Sequence, residues 1–294
     1  MATLRELKGR IGSVASSEKI TGAMKMISSA KMHRAEGDLR RQLPFRRQIE
    51  TIMDNLLTAD AEFTSPLTEV REVTHVGLVV FGSDDGLCGG YNINIFKGML
   101  ERMNLLRAEY GQGLRFTLMP VGRKIAKACA KIASPLIGVE VPEDANSKSD
   151  SDRAKQFCTS LQRQFSTGTV DHVELIYMNF QSMSRQRLKT DVYLPLEASA
   201  ILGTARRTQC RPCIFEPDAQ TIFRSVIPLF LLSMLQEVFT ENRASEQAAR
   251  IMAMQSANDN AKNLLEQLQL EYNKLRQQGI TNELLDILGG QVNN

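Results

Sequence analysis

The sequence predicts a mixed α/β protein in which a central domain lies between two long terminal helices. The first observation is the segment after Phe239, which contains no proline and repeats apolar residues at helical spacing. The second is a similar apolar stripe at the N-terminus. The third is a change of period near His75, where short runs rich in β-branched residues begin to alternate with amphipathic segments. We therefore expect the terminal helices to pair and the domain to close the pair.

The N-terminal helix is expected over residues 1–58. Its apolar residues step by three and four positions, which places them along one seam as in a coiled coil, and only Pro44 interrupts them. Terminal helices of similar reach around a different middle predict an antiparallel coiled coil within the chain. The spacing fits a coiled coil between two copies of the chain as well. The stripe consists of Leu4, Leu7, Ile11, Val14, Ile20, Met24, Ile27, Leu39, Leu43, Ile49, Ile52 and Leu56.

The central domain is expected over residues 73–207. Strands that alternate with helices predict a layered, Rossmann-like α/β domain with a largely parallel sheet. Polar, turn-rich loops are expected at 143–152 and 203–216. The predicted strands are His75–Gly82, Arg115–Gly122, His172–Phe180 and Leu188–Leu196, and the predicted helices are Ile93–Gly111, Arg123–Ala133 and Arg153–Phe165.

A glycine-rich loop follows the first predicted strand and contains Gly86, Gly89 and Gly90. Its position between a strand and a helix is typical of a phosphate-binding loop. However, it has neither the G-x-G-x-x-G pattern nor the G-K-[S/T] ending of a P-loop, and Asp84 and Asp85 would repel a phosphate. The pattern favours a tight structural turn, and the alternative is an enzyme that binds a nucleotide here.

The C-terminal helix is expected over residues 216–288 and pairs with the N-terminal one. A globular helix averages about eleven or twelve residues, so one this long must pair with another helix or project into a partner. At about 1.5 Å per residue, roughly seventy residues would span about 100 Å. Asp218 after Pro217 is the expected N-cap, while Pro228 predicts a kink or a later start. Its periodic apolar residues include Leu264, Leu268, Tyr272, Leu275, Leu284 and Leu288.

Neither a catalytic site nor a cofactor site is predicted. The Cys210–Cys213 pair has C-x-x-C spacing, which fits redox exchange or half of a zinc site. A second pair is missing, and the three histidines are scattered along the sequence. An odd total of five cysteines favours reduced thiols. No G-x-S-x-G or H-E-x-x-H motif occurs.

Charge and hydropathy do not predict a nucleic-acid partner or a membrane span. The net charge is only +3, although residues 1–50 carry eleven Lys and Arg against five Asp and Glu. The N-terminus is charged early and lacks the apolar core of a signal peptide. The longest apolar stretch, Val226–Leu235, is shorter than the roughly twenty residues of a membrane helix. We expect a soluble chain or attachment to a membrane through partners only.

Four segments resemble the gamma subunit of F-type ATP synthase. Lys19–Met32 is similar to the N-terminal helix of that family, and Ser83–Asn94 to its glycine-rich loop. Glu241–Leu264 and Leu268–Gly290 are similar to its C-terminal helix. The segments occur in the family's order and reach both ends of the chain. Gln291 departs from the family, which usually has alanine there.

The resemblance implies the central rotor shaft of the synthase, without an active site or cofactor of its own. Its implied partners are three alpha and three beta subunits around one shaft, the epsilon subunit and the membrane c-ring. Proton flow would turn the c-ring and shaft, and the shaft would couple that rotation to ATP synthesis or hydrolysis in beta. The implied location is the cytoplasmic face of a bacterial inner membrane, as a peripheral membrane protein.

The resemblance also implies contact residues on both helices. Met24 and Lys25 would face moving loops of beta. Four residues near the end of the chain, and Arg250 before them, would make polar contacts higher in the ring. Solvated helix faces would account for the same residue types. The four are Arg276, Gln277, Thr281 and Glu283.

Two other classes of function remain open in the sequence. One is the nucleotide-binding enzyme, with the long helices serving to dimerise it. The other is a coiled-coil scaffold that self-associates in pairs, although polar Lys31 and Asn260 interrupt the stripes of a pure zipper.

Overall fold

The computed structural model describes residues 3–57, 63–142, 151–196 and 215–291. Most of the predicted loops at 143–152 and 203–216, and the Cys210–Cys213 pair, lie outside the described residues. The predicted division into domains stays a prediction. In chain order the elements are α1 (Leu4–Leu57), β1 (His75–Phe81), α2 (Tyr91–Tyr110), β2 (Arg115–Val121), α3 (Arg123–Cys129) with a 3-10 turn (Ala130–Ile132), β3 (Ile137–Val139), α4 (Ser151–Ser166), β4 (His172–Ser182), β5 (Arg185–Leu194) and α5 (Ala219–Gln291).

The strands form one sheet in the order β3-β2-β1-β4-β5. β1 pairs in parallel with β2 and with β4, and β2 pairs in parallel with β3. β5 is antiparallel to β4, to which it is joined as a hairpin. The predicted α/β class with a largely parallel sheet is therefore confirmed. The helices between the parallel strands supply the crossovers that parallel pairing requires.

The largest differences from the predicted strands are at β3 and β5. β3 has no counterpart among the predicted strands, because three residues are too few to reveal a period. β5 begins at Arg185 rather than Leu188. The extra residues lie at the edge of the sheet and are largely exposed, so they need no apolar pattern to pair with β4.

β1 is buried on both faces, which explains its continuous apolar sequence. Val79 and Phe81 belong to a core cluster that also contains Leu231 and Leu235 of α5. Val80 belongs to a second cluster, which contains the buried faces of α2 and α3. Because successive strand residues point to opposite faces, a central strand with helices on both sides must be apolar throughout.

α1 and α5 pack side by side in opposite directions. The side-chain amide of Asn258 in α5 donates a hydrogen bond to the backbone carbonyl of Glu18 in α1, at 2.7 Å. Further along, Arg46 of α1 forms an ion pair with Glu237 of α5. Residue numbers rise along α1 while those of its partners fall along α5. The pair is therefore antiparallel, as predicted.

The apolar stripes of the two helices are only partly buried. Ile20 and Ile27 of α1 are 59% and 55% exposed, and Leu264 of α5 is 45% exposed. The seam predicted for α1 is therefore not packed against α5 at Ile20 and Ile27 as a coiled-coil seam would be. Two helices that pack along a narrow seam leave the rest of a wider apolar stripe in solvent. That apolar surface is available to a partner.

α5 extends past the beginning of α1. Glu18 lies beside Asn258, and the two helices run in opposite directions. The first residue of α1 therefore lies beside a part of α5 that is still well short of the end of α5. From Arg276 to Leu285 every residue except Gly279 is exposed. This segment, hereafter the tip, is continuous with the paired part of α5 but lacks the cover that α1 gives that part.

Prolines lie inside both long helices. α5 begins at Ala219, ahead of Pro228, so the alternative of a later helix start is wrong, while a kink at Pro228 stays a prediction. The start is capped by Asp218, whose carboxylate accepts the backbone N–H of Thr221 at 2.8 Å, as predicted. Pro44 interrupts the stripe of α1 but not its helix.

α5 is apolar enough in one stretch to meet the length and composition criteria of a membrane helix. Within Ala219–Leu285 an 18-residue window has a mean hydropathy of 1.6, and 50% of that window is buried. Phe223, Ile227 and Phe230 of α5 lie in the core beside the sheet. Packing against the domain therefore accounts for apolar residues of this kind without a bilayer.

A charged cluster lies near the amino end of β4. Glu174 is fully buried and accepts hydrogen bonds from Arg102 at 2.8 Å and from His172 at 3.0 Å. Burial by itself raises the pKa of Glu174. The hydrogen bonds and positive charge of Arg102, together with His172, outweigh burial and hold that pKa below its ordinary value of 4.5.

The lowered pKa of Glu174 predicts part of the acid sensitivity of the fold. The carboxylate contributes stability that is present above about pH 4.5 and is lost as the pH falls through the folded-state pKa. At neutral pH, we expect Glu174→Gln to unfold with about 1–3 kcal/mol less free energy. In urea unfolding between neutral and acidic pH, its stability should then fall less steeply than that of the wild type. Glu101→Gln, at an exposed position of α2, is the control. If Glu174→Gln and the wild type lose stability equally as the pH falls, the prediction is contradicted.

A second prediction concerns the contact between α2 and β5. A Cβ atom added at Gly98 would lie 1.9 Å from Cδ2 of the Leu188 side chain. We expect Gly98→Ala to lower the free energy of unfolding by about 1–3 kcal/mol, because overpacking forces side chains or backbone to move. Gly9→Ala is the matched helical control, since nothing lies within 4 Å of its added Cβ. Equal urea midpoints for the two variants would refute the close contact.

Candidate functional site between the long helices and the glycine-rich loop

The glycine-rich loop connects β1 to α2 at the carboxyl edge of the parallel strands. α1 and α5 pass beside it, and together the three segments enclose a cleft of about 470 Å³. Open α/β sheets commonly bind their ligands at this edge. The lining residues are Met24, Ile27, Ser28, Lys31, Arg34, Ala35 and Asp38 of α1, Asp85, Gly86 and Leu87 of the loop, and Arg243, Glu246, Gln247 and Arg250 of α5.

Side-chain hydrogen bonds fix the fold of the loop. The backbone N–H of Ser83 donates to Oδ1 of Asn92 at 3.0 Å, and Nδ2 of Asn92 donates to Oγ of Ser83 at 2.7 Å. Gly89 has a φ of +59°, in the left-handed region that favours glycine, and Leu87 has a φ of 63°. A leucine in this conformation is uncommon, and its side chain is 59% exposed. The loop is thus a tight turn, as predicted, that presents an apolar residue to solvent.

Gly86 and Gly90 differ from Gly89 in their environment. Neither has a positive φ, and an added Cβ would meet only ordinary contacts, with Lys124 near Gly86 and Asn94 near Gly90. The backbone of the isolated chain therefore does not require glycine at these two positions.

Carboxylates of the glycine-rich loop bind the start of α3, the helix that follows β2. Oδ1 of Asp84 accepts the backbone N–H of Arg123, the first residue of α3, at 3.1 Å. Asp85 forms an ion pair with the guanidinium of Arg123, also at 3.1 Å. Asp84 and Asp85 thus place negative charge beside the loop, which counts against the nucleotide-binding alternative.

Arg250 lies inside the junction of loop and helix rather than on the outer surface. It is 6% exposed, and its guanidinium donates to the backbone carbonyls of Gly86 at 3.2 Å and Asp85 at 3.3 Å. It also forms an ion pair with Glu246, one helical turn earlier, at 2.7 Å. A contact of Arg250 with a partner stays a prediction, but in the isolated chain this side chain fastens the loop to α5.

The pKa of Glu246 is raised. Burial is the largest cause, and the nearby charges of Asp84 and Asp85 add to it, while the hydrogen bond and charge of Arg250 act in the opposite direction. The Glu–Arg spacing of four residues is visible in the sequence, but that spacing is equally typical of an exposed helix pair. Sequence reasoning therefore did not identify Glu246 as part of this site.

Met24 and Lys25 lie on α1 beside the loop, and both are partly exposed. Met24 lines the cleft together with Ile27 of α1 and Leu87 of the loop. The cleft thus combines exposed apolar side chains with basic and acidic ones, a composition suited to a protein segment rather than to a small phosphate ligand.

The other four predicted contact residues lie elsewhere. All four are exposed on the tip, and Oγ1 of Thr281 donates a hydrogen bond to the carbonyl of Gln277 within the helix, at 2.9 Å. Arg276 is separated from Arg250 by about 40 Å of helix at 1.5 Å per residue. The structure thus divides the predicted contacts into two surfaces, the cleft beside the loop and the tip.

The described part of the chain contains no group of three or more His, Cys, Asp or Glu side chains that could hold a metal ion. Its cysteines, Cys88, Cys129 and Cys158, are free and buried. Burial raises the pKa of the Cys129 thiol to about 11, which leaves it protonated and unreactive at neutral pH.

Comparisons with known proteins agree over the whole chain. A family model described as ATP synthase matches residues 3–292. The ATP synthase gamma chain of Bacteroides fragilis is 40% identical over 294 residues and covers 99% of this chain and 100% of its own length. That of Bacteroides thetaiotaomicron is 38% identical over 304 residues, with coverage of 99% and 100%. That of Cupriavidus necator is 34% identical over 299 residues, with coverage of 99% for both chains.

Solved structures share the fold. A chain of the Euglena gracilis mitochondrial ATP synthase rotor matches with a TM-score of 0.64 and 18% identity, covering 94% of this chain and 98% of that one. A chain of the Tetrahymena thermophila mitochondrial ATP synthase central stalk and c-ring matches with a TM-score of 0.56 and 23% identity, covering 81% and 99%. The family model and the sequence relatives establish that the chain belongs to the family of ATP synthase gamma chains.

Proposed function

We propose that this chain is the central stalk of an F-type ATP synthase and transmits rotation rather than catalysing a reaction. The observation that carries the proposal is α5, a helix of 73 residues that leaves the domain, pairs with α1 and ends in the exposed tip. At 1.5 Å per residue it is about 110 Å long, enough to reach from a domain far into a surrounding assembly.

The proposed partners follow from the family. Three alpha and three beta subunits would surround the long helices, and the domain would bind the epsilon subunit and the c-ring. Proton flow would turn the c-ring together with this chain. As part of the proposal, the chain would be a peripheral membrane protein on the cytoplasmic face of a bacterial inner membrane. ATP would be made or hydrolysed in beta, and this chain would take no cofactor.

The geometry suits a shaft whose neighbouring subunits respond to its orientation. Catalytic sites in a ring respond to rotation only if the shaft contacts their conformations differently. Here one side of the paired helices carries the cleft and the exposed Leu87, so the shaft is asymmetric around its axis. Met26 of α1 is 75% exposed, and a flexible thioether can exchange contacts with a moving surface.

The first experiment is co-expression of the chain with the alpha and beta subunits of its host, followed by native mass spectrometry. We expect a complex with three alpha, three beta and one copy of this chain, whose ATP hydrolysis falls as Thr240–Asn294 is shortened from its end. A free homodimer that ignores alpha and beta would refute the shaft and favour the scaffold. Nucleotide bound by the isolated chain at micromolar affinity would favour the enzyme.

The contacts of the tip are tested by alanine substitution in that complex. We expect Arg276→Ala to lower ATP hydrolysis about tenfold or more, because the variant lacks the exposed guanidinium and with it a charge-assisted hydrogen bond worth about 1.5–3 kcal/mol. Lys274→Ala, an exposed basic residue less than one turn away, is the matched control and should leave the rate within about twofold. If both variants behave alike, the predicted contact of Arg276 is wrong.

The role of Arg250 is tested in the isolated chain by hydrogen exchange. Its guanidinium holds two loop carbonyls, so Arg250→Ala should speed amide exchange in residues 84–90 by about tenfold, equivalent to losing about 1.4 kcal/mol of local stability. Arg276→Ala leaves the loop contacts intact and serves as the control. Unchanged exchange in the Arg250 variant would show that the loop is held without this side chain.

A further inference from the structure

We propose that a set of buried and half-buried polar side chains carries torque between the α/β domain and α5 by preventing the helix from turning against the sheet. This set, hereafter the polar junction, binds α5 to the carboxyl ends of β1 and β4. The inference rests on the proposed function, since torque has a meaning only for a rotating chain. The polar junction consists of Tyr91, Asn179, Glu241, Asn242 and Ser245.

Asn242 joins α5 to the end of β1 and the start of α2. It is 1% exposed, and its Nδ2 donates a hydrogen bond to the backbone carbonyl of Gly82 at 3.0 Å. Its Oδ1 accepts the hydroxyl of Tyr91 at 2.6 Å. Burial raises the pKa of Tyr91 well above its ordinary value, so the hydroxyl keeps its proton and remains a donor. One side chain of α5 is therefore held from two directions.

Ser245 and Glu241 join α5 to β4. Ser245 is fully buried, and its hydroxyl donates a hydrogen bond to the backbone carbonyl of Met178 at 2.8 Å. Nδ2 of Asn179, the next residue of β4, lies 2.9 Å from both carboxylate oxygens of Glu241. Glu241 and Ser245 lie one turn apart on α5, and their partners are neighbouring residues of β4. These bonds fix the rotational register of the helix as well as its distance from the sheet.

The polar junction differs in kind from the packing that precedes it. Earlier in α5, the residues that face the sheet are apolar, such as Ile227 and Leu231, and apolar contacts depend little on direction. Hydrogen bonds weaken steeply when donor and acceptor are misaligned. A small rotation of α5 about its axis would therefore misalign the bonds of the polar junction together and leave buried polar groups without partners.

The position of the polar junction fits the same role. It lies after the part of α5 that packs in the core and before the part that pairs with the beginning of α1, represented by Asn258 and Glu18. The carboxyl-terminal end of α1 also packs in the core, through apolar residues that include Met53 and Leu56. The polar junction is a directional part of the attachment, at the level where the helices leave the domain.

The test compares two buried serines of the same helix. Ser245→Ala removes a hydroxyl that bonds to the sheet, whereas Ser233→Ala removes one that bonds to the Phe230 carbonyl within α5 at 2.7 Å. Both lose one buried hydrogen bond, but only the first crosses to the domain. Tyr91→Phe, alone and combined with Ser245→Ala, removes a second crossing bond with little change of volume.

Each variant is assembled with the host's other synthase subunits in lipid vesicles. ATP hydrolysis with the membrane made permeable to protons reports turnover without load, and ATP-driven proton pumping reports rotation against load. The torsional stiffness of the stalk is read from the angular fluctuation of a bead fixed to the α/β domain while beta is stalled. Subunit stoichiometry is checked on the same samples.

We expect Ser245→Ala and Tyr91→Phe to keep unloaded hydrolysis near the wild-type rate and to lower pumping by about twofold to fivefold, with a softer stalk. Their combination should be softer still, and Ser233→Ala should match the wild type in every readout. Wild-type stiffness and pumping in correctly assembled crossing variants would overturn the polar junction and leave the shaft intact. A wild-type chain that fails to assemble or rotate would overturn both. If the double variant does not assemble, the single variants decide.

Discussion

From Phe223 to Phe239 the apolar face of α5 packs against the sheet, and the rest of the structure depends on this contact. A helix of 73 residues has more apolar surface than one domain can cover. α5 therefore passes through three environments, which are the core of the domain, the antiparallel pair with α1, and solvent at the tip. The residue types differ at each boundary between two environments, and the proposed functional surfaces lie at these boundaries.

The first boundary, where α5 leaves the domain, is marked by buried polar groups instead of apolar ones. Asn242 is bonded to the carbonyl of the residue that follows β1, Ser245 to a carbonyl of β4, and Arg250 to carbonyls of the glycine-rich loop. Buried polar groups of this kind are stable only when they are bonded, so they tolerate one relative position of helix and sheet. A shaft that must not slip in its domain needs this property more than it needs additional apolar area.

Sequence periodicity predicted the long helices, the largely parallel sheet and the N-cap Asp218, because each follows from a local pattern. It was less successful wherever a residue's partner lies far along the chain. Arg250 resembles an exposed helix residue in the sequence, yet its partners Asp85 and Gly86 come from a loop more than a hundred residues earlier. Pro228 suggested a later helix start, but the core contacts of α5 and the cap at Asp218 establish the helix ahead of it.

The sequence by itself determined the class of fold and, through motifs spread along the chain, its family resemblance, since both depend on the order and spacing of residue types. It could not determine which residues of an amphipathic helix meet a neighbour and which stay in solvent. Ile27 and Ile49 belong to the same stripe of α1, yet the first is 55% exposed and the second is 4% exposed. Only the tertiary structure made that distinction, because burial depends on where the sheet, the loop and the partner helix lie in space.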